Sequence, residues 1–410
     1  VLFENTGKGR FTEITQSAGL VYSGHSSGAV FFDYDRDGLL DLFLANVGHY
    51  TTDKKGLGGY FVGMSDGFRG HLHADRTENC ILYKNLGNKR FANVTEKLGL
   101  GNFGWSGDAS FTDLNQDSFP DLYVLNMQGN DHYFENVKGQ SFVDKTNAYF
   151  PKTPWGSMGI KFFDFDNDGL IDLFVTDMHS DMSNDLGYVG LEEEKKKSVM
   201  QWTPDILVGY EKSVWGNAFY KNLGGGKFEE ISDKIGAENY WPWEVSVGDL
   251  NADGYADIFI ASGMNYPFRY GINSLLLNNL GETFLDSEFI LGVEPRKGGK
   301  TMKSWFDVDC FGADENHRDC MGQEGKLTVM GALASRSSII VDLDDDGDLD
   351  IVTNEFNAEP QVLISNLAQK RKVHFLKVDL VGSKSNRNGL GAAVTLFTKN
   401  LRVTQVQDGK

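Results

Sequence analysis

Short apolar runs recur along this chain, each broken by a polar turn rather than continued at the 3.6-residue spacing of an amphipathic helix. Val30-Phe31-Phe32, Ile160-Lys161-Phe162-Phe163 and Ile339-Ile340-Val341 each lead into an acidic turn, and Leu42-Phe43-Leu44, Leu122-Tyr123-Val124 and Ile258-Phe259-Ile260 each follow one. The pattern predicts strand, acidic turn, strand. A second element sets an apolar pair before an Asn, then a short glycine-containing turn and usually a Phe. It recurs at Asn5/Phe11, Asn85/Phe91, Asn136/Phe142, Asn222/Phe228 and Asn279/Phe284, with a weaker form at Asn366, and predicts a hairpin.

The two elements keep a fixed distance. From Asn5, Asn85, Asn136 and Asn222 the next acidic turn begins 28, 28, 28 and 27 residues on, whereas from Asn279 it begins 63 on. The return distance varies, so that connection accepts insertions. A four-stranded unit repeated in this way predicts an all-β propeller, in which radial repetition protects the sheet edges. The opening hairpin at Leu2–Thr15 lacks a first pair of strands, which the C-terminal strands are expected to supply; that gives six blades, or seven if 285–337 forms a degenerate blade. The propeller is expected over 1–370, with 371–410 as the C-terminal strands. Alternation of strand direction puts the acidic turns and Asn-Gly turns at one end. The long insertions, at about 47–81, 179–217 and 285–337, then fall at the other end, with all seven Trp and most His on or leading from it. Loops of that kind carry binding residues.

The acidic turn has the form D-x-[DN]-x-D-[GS]-x-x-D in five copies. They are Asp33, Asp35, Asp37 and Asp41; Asp113, Asn115, Asp117 and Asp121; Asp164, Asp166, Asp168 and Asp172; Asp249, Asn251, Asp253 and Asp257; and Asp342, Asp344, Asp346 and Asp350. The seventh position, at Leu39, Phe119, Leu170, Tyr255 and Asp348, offers a carbonyl as a further oxygen ligand. Hard oxygen donors in flexible number suit Ca²⁺, and the absence of thiolate or imidazole disfavours zinc. Composition supports this: 58 acidic against 39 basic residues give a net charge of −19, and about five structural Ca²⁺ would bring it near −9. The same excess argues against nucleic acid, which needs a basic footprint. No apolar run approaches the ~18 residues of a membrane helix. Ser118 stands where the other four turns have Gly and must take the same conformation with a Cβ.

These turns and their strands resemble the FG-GAP/VCBS repeats of integrin-α-like propellers. The stretch Leu376 to Ala392, with Ser385-Asn386-Arg387-Asn388-Gly389-Leu390-Gly391-Ala392 at its end, is similar to the ASPIC/UnbV segment of the cartilage acidic protein family. The resemblance implies a secreted or surface-exposed propeller with calcium loops, used in adhesion or matrix contact, and it assigns no particular ligand.

Outside the turns, His71 and His73 alternate as on one strand face and are candidates for a metal or acid–base pair. Asp177 and His179, following a strand directly, are candidates for acid–base work at the same end. The Trp residues could stack on sugar rings or anchor a protein partner, although Trp155 and Trp243, just before inner strands, also suit packing between blades. Cys310 and Cys320 bracket a polar loop and could bond in an oxidising compartment. No P-loop, G-x-S-x-G, H-E-x-x-H or dinucleotide fingerprint is present. The expected function is therefore calcium-stabilised binding of a protein or glycan through the insertion-bearing face. The alternative is a lyase or cyclase acting on a polysaccharide or secondary metabolite with a site built from the same insertions.

Overall fold

A computed structural model describes residues 1–178, 212–263 and 270–409 apart from positions 74, 102, 240, 357 and 400. Each acidic turn joins the first and second strands of an antiparallel sheet. The first sheet runs Ser26–Phe32, Asp41–Asn46, Ile81–Asn85, Phe91–Asn93, and the second Ser106–Thr112, Asp121–Asn126, His132–Asn136, Phe142–Asp144. The third comprises Ser157–Phe163, Asp172–Asp177, Ala218–Asn222, Phe228–Glu230, and the fourth Pro242–Gly248, Asp257–Ser262, Ser274–Asn279, Thr283–Asp286. A fifth, Ser335–Val341, Asp350–Glu355, Gln361–Leu363, has three strands. Inner strands of successive sheets pack side by side, so these are five consecutive blades.

The core lies between blades. Phe32, Phe43, Leu82, Phe103, Phe111 and Phe134 fill the first gap, with Phe32 stacked on Phe111 at 5.2 Å between ring centres. Tyr123, Tyr133, Phe150, Leu173 and Tyr220 fill the second, and Phe165, Phe174, Phe219, Ile258 and Phe284 the third. Second strands are buried along their whole length in blades two to four, which explains why their sequences read as continuous apolar runs rather than alternating ones.

The blade number corrects the sequence expectation of six or seven. The opening hairpin, Phe3–Gly7 with Arg10–Glu13, pairs only with itself among the described residues, and so do the C-terminal strands Ala393–Phe397 and Arg402–Val406. Instead of completing a sixth blade, that C-terminal hairpin lies against the third: Val406 packs into the second inter-blade core and Lys161 Nζ meets Asp408 at 3.0 Å. Nor does 285–337 form a blade. Met302–Asp309 pairs with Lys326–Ala332 as a separate hairpin, stapled by a Cys310–Cys320 disulfide over a small cluster of Val308, Cys320 and Val329. The other cysteine, Cys80, is buried and free.

Candidate functional site

The acidic turns are built alike. The fourth residue has positive φ in all five (Arg36, Gln116, Asn167, Ala252, Asp345), and so has the sixth, including Ser118 at 75°. This places the sixth N–H on the first carboxylate: Gly38 donates to Asp33 at 3.0 Å, Ser118 to Asp113 at 2.8 Å, Gly169 to Asp164 at 2.9 Å and Gly254 to Asp249 at 2.8 Å. The seventh N–H bonds the fifth carboxylate in the same way, as in Leu39 to Asp37 at 3.0 Å and Tyr255 to Asp253 at 2.8 Å. The remaining oxygens then converge. Carboxylate atoms of Asp33, Asp35 and Asp37, of Asp164, Asp166 and Asp172, and of Asp342, Asp344 and Asp346 gather within 4.8 Å of one another. Asp33 Oδ1, Asp35 Oδ1, Asp164 Oδ1, Asp166 Oδ1, Asn251 Oδ1 and Asp348 Oδ1 are buried without a hydrogen-bond partner. A buried acceptor with no donor is costly, and acceptors clustered in this way fit a hard cation.

The ninth Asp of each turn also has a structural job. Asp41 accepts Tyr34 N at 3.2 Å and Asn85 N at 2.7 Å, joining the turn to the third strand. Asp121, Asp172, Asp257 and Asp350 do the same with Asn136, Asn222, Asn278 and Ser365. The structurally equivalent fourth-blade residue is thus Asn278 rather than Asn279, and in the fifth blade Ser365 rather than Asn366. Burial pushes the Asp41, Asp121 and Asp257 carboxyls up to about 7 and Asp172 to about 8, against the opposing effect of the donated N–H bonds.

Sequence reading missed a set of ammonium groups. Lys84, one residue before Asn85, contacts Asp35 and reaches Asp37 at 2.8 Å; Lys221, one before Asn222, contacts Asp166. In the fifth turn Lys377, from the C-terminal segment, contacts Asp345 and lies 3.4 Å from Asp342. These are the three turns with Asp at the third position; where Asn115 and Asn251 replace it, Glu135 and Leu277 stand at the matching strand position. In the first and third turns the extra carboxylate therefore comes with a lysine, whereas in the fifth the lysine meets the neighbouring Asp345.

The C-terminal segment covers this end of the molecule. Phe375 lies against Gly347, Leu401 against Gly254, Lys384 O against Gly38, and Arg402 donates to Asp168 O at 3.0 Å.

At the opposite end, each inner strand carries a β-bulge. Bulges re-aim side chains at the rims of closed sheets. Here they deliver Ser27, Gly107, Met158, Trp243 and Arg336 to equivalent rim positions. The first four line a cavity of about 380 Å³ together with His25, Ser26, Val47, Tyr50 and Met127. His25 is held by Glu78, Nδ1 to Oε1 at 2.6 Å, and Glu78 also accepts Tyr22 Oη at 2.6 Å and His25 N at 2.7 Å. Burial opposes the Glu78 charge, but these hydrogen bonds outweigh it and hold the carboxyl below its usual range. Two insertions meet near this end: Tyr60 packs on Trp305 at 5.6 Å, and Trp305 on Phe356 at 5.9 Å.

Two of the proposed acid–base residues have described side chains. His73 is exposed, and Asp177 is fully buried, accepting Trp155 N at 2.9 Å and Gly156 N at 3.0 Å. His179, Trp202 and most of the 179–217 insertion lie outside the described residues, as does the His71 side chain. Of the aromatic set, Trp155 and Trp105 are buried packing residues, whereas Trp243 faces the cavity.

An FG-GAP-like repeat model matches residues 113–175 and 203–260, which contain the second, third and fourth acidic turns. A T-cell immunomodulatory protein homolog of Plasmodium yoelii yoelii is 24% identical over 257 residues, covering 56% of this chain and 33% of the relative, so the chain spans about a third of that relative's length. Among solved structures, an exotype rhamnogalacturonan lyase, YesX, aligns over 90% of this chain and 51% of its own with 11% identity and a TM-score of 0.34. A second rhamnogalacturonan lyase, YesW, aligns over 81% and 44% with 12% identity and a TM-score of 0.33. Among the described residues no helix is long and apolar enough to cross a membrane.

Proposed function

We propose that this chain is a calcium-stabilised, extracellular or surface-displayed propeller that binds a protein or glycan through its insertion-bearing face. The observation that carries the binding face is an asymmetry of the two ends. The acidic-turn end is overlaid by the C-terminal segment, whereas the other end holds the Trp243-lined cavity. The cation's part is to hold the turns: bound to Asp33, Asp35 and Asp37 and their counterparts, it would supply the positive charge that the orphaned oxygens lack. Hard oxygen donors, with no sulfur or imidazole among them, favour Ca²⁺. The Cys310–Cys320 disulfide supports an oxidising compartment.

The test pairs metal analysis with ligand capture. Desalted protein is expected to carry close to five Ca²⁺ and to lose thermal stability in EDTA, because a metal held only by the native state stabilises it by mass action. On a glycan and matrix-protein array, Trp243→Ala is expected to abolish capture while keeping the calcium-dependent melting temperature. Capture indifferent to Trp243 would remove the cavity from the reading.

One observation favours the alternative, an enzyme of the lyase or cyclase class: the Tyr22–Glu78–His25 chain ends at the cavity wall, an arrangement able to set an imidazole for proton transfer. Turnover of any captured ligand, abolished by His25→Gln, would select it.

A further inference from the structure

Two arginines stand close together, Arg296 in the segment before the fifth blade and Arg336 on that blade's inner strand, and their surroundings differ. Arg296 is fully engaged: its guanidinium meets Glu355 Oε2 at 2.5 Å, Ser335 Oγ at 3.0 Å and Tyr270 Oη at 3.0 Å. Glu355 is equally committed, since it also accepts Ser335, Thr353 and Gln361. Arg336, at the rim position set by the fifth inner-strand bulge, has no such partner. Its guanidinium lies 4.1 Å from the centre of the Trp243 ring and 5.3 Å from that of Phe356. Only Nη1 is bonded, to Gly263 O at 2.7 Å and Ser335 O at 3.3 Å, so Nε and Nη2 have no partner among the described residues. No carboxylate there comes within ion-pairing distance of it. Burial, against a weak attraction from Glu355, pulls this guanidinium down to about 10. The two aromatic faces repay part of that desolvation, but two donors of a planar fork suited to carboxylate remain unused.

We propose that the cavity at this rim is an acidic-sugar site, in which Arg336 takes the carboxylate of a uronic acid while the sugar ring sits beside Trp243. The proposal rests on the reading of this face as a ligand-binding one and names its ligand class. Three features select the class. Cavity size, about 380 Å³, is at the small end of ligand sites and suits one or two rings rather than a protein surface. One guanidinium, set beside the lining on the Trp243 ring, balances a single negative charge, and the imidazole of the lining, His25, is already matched by Glu78. A monoanion is therefore favoured over a dianionic phosphate. The walls combine flat or flexible apolar faces (Trp243, Tyr50, Met127, Met158) with hydrogen-bonding groups (Ser26, Ser27, His25), as a ring with C–H faces and hydroxyl edges requires. The protein's net charge of −19 would repel acidic ligands at long range, so binding is expected to tighten with salt at low ionic strength and to depend on the local guanidinium.

The experiment is calorimetric titration of the calcium-loaded chain with glucuronate, glucose, acetate and inorganic phosphate. Glucuronate is expected to bind, with glucose, acetate and phosphate each at least tenfold weaker. Arg336→Gln should lose tenfold or more in glucuronate affinity and Arg336→Lys should retain part of it, both keeping the wild-type melting temperature in calcium. Should Arg336→Gln melt early, the comparison between glucuronate and glucose on the wild-type chain still decides. Phosphate binding as tightly as glucuronate, or acetate doing so, would overturn the sugar-acid assignment. Absence of glucuronate binding would overturn it as well. Capture of neutral glycans that is lost in Trp243→Ala but unchanged in Arg336→Gln would overturn the acid site and leave the binding face standing. Absence of glucuronate binding together with absence of any array capture by the wild-type chain would remove the face too.

Discussion

Ser118 holds φ at 75°, a region that four of the five turns give to glycine. A Cβ there costs on the order of 1 kcal/mol. Ser118→Gly is therefore expected to raise the stability of the chain by about 1 kcal/mol, read as a higher urea midpoint with unchanged slope. The lysines make a second residue-scale prediction. Lys84 and Lys221 neutralise the third carboxylate of their turns, so Lys84→Gln should lower the melting temperature in EDTA and enlarge its rise on adding calcium. An unchanged calcium response would mean that the ammonium and the cation do not share the turn. Neither lysine stands out in the sequence, because each lies on a strand some 50 residues from its partners; the contact exists only once the third strand is paired.

The turn and the strand it serves form the next scale, joined by the ninth Asp. Asp41 is fully buried and accepts an N–H on each oxygen. Asp41→Asn would set an amide NH₂ against a donor, so a loss of about 1–3 kcal/mol is expected in chemical denaturation. The same burial gives a pH dependence in the metal-free protein. With Asp41, Asp121 and Asp257 raised to about 7 and Asp172 to about 8, the native state binds more protons than the unfolded chain above its usual carboxyl range near 4. Stability in EDTA should accordingly be greatest near pH 4 as far as these groups decide it, and fall as pH rises through 7 to 8. Melting in EDTA between pH 5 and 8 checks this. At this scale the sequence was most informative: five nine-residue turns, constant spacing and alternation put every acidic turn between the first two strands of a blade. It slipped where neighbours were ambiguous. Asn278 and Asn279 are adjacent, and only the hydrogen bond to Asp257 tells them apart. The rim residues had no motif at all, because Ser27, Gly107, Met158, Trp243 and Arg336 share a bulge and not a residue type.

For the whole molecule the repeat count misled. The hairpin Met302–Ala332 has the strand pattern but leaves most of its first strand exposed or half-buried, and it pairs with no blade strand among the described residues. Likewise the C-terminal strands find their partner in each other. Their segment instead touches turns of the first, third, fourth and fifth blades. Deleting residues 371–410 should therefore lower the melting temperature and raise protease sensitivity at the acidic-turn end, monitored by limited proteolysis in calcium. That segment also fixes the order of events during synthesis. Lys161 must wait 247 residues for Asp408, and Asp168 waits 234 for Arg402. Blades can form one after another as the chain emerges, each on local hairpins, but these long-range closures come last and carry the greatest loop entropy. A ribosome-bound chain halted before residue 371 would thus present its acidic turns bare to the surrounding ions, and residues 371–410 would arrive on blades already formed.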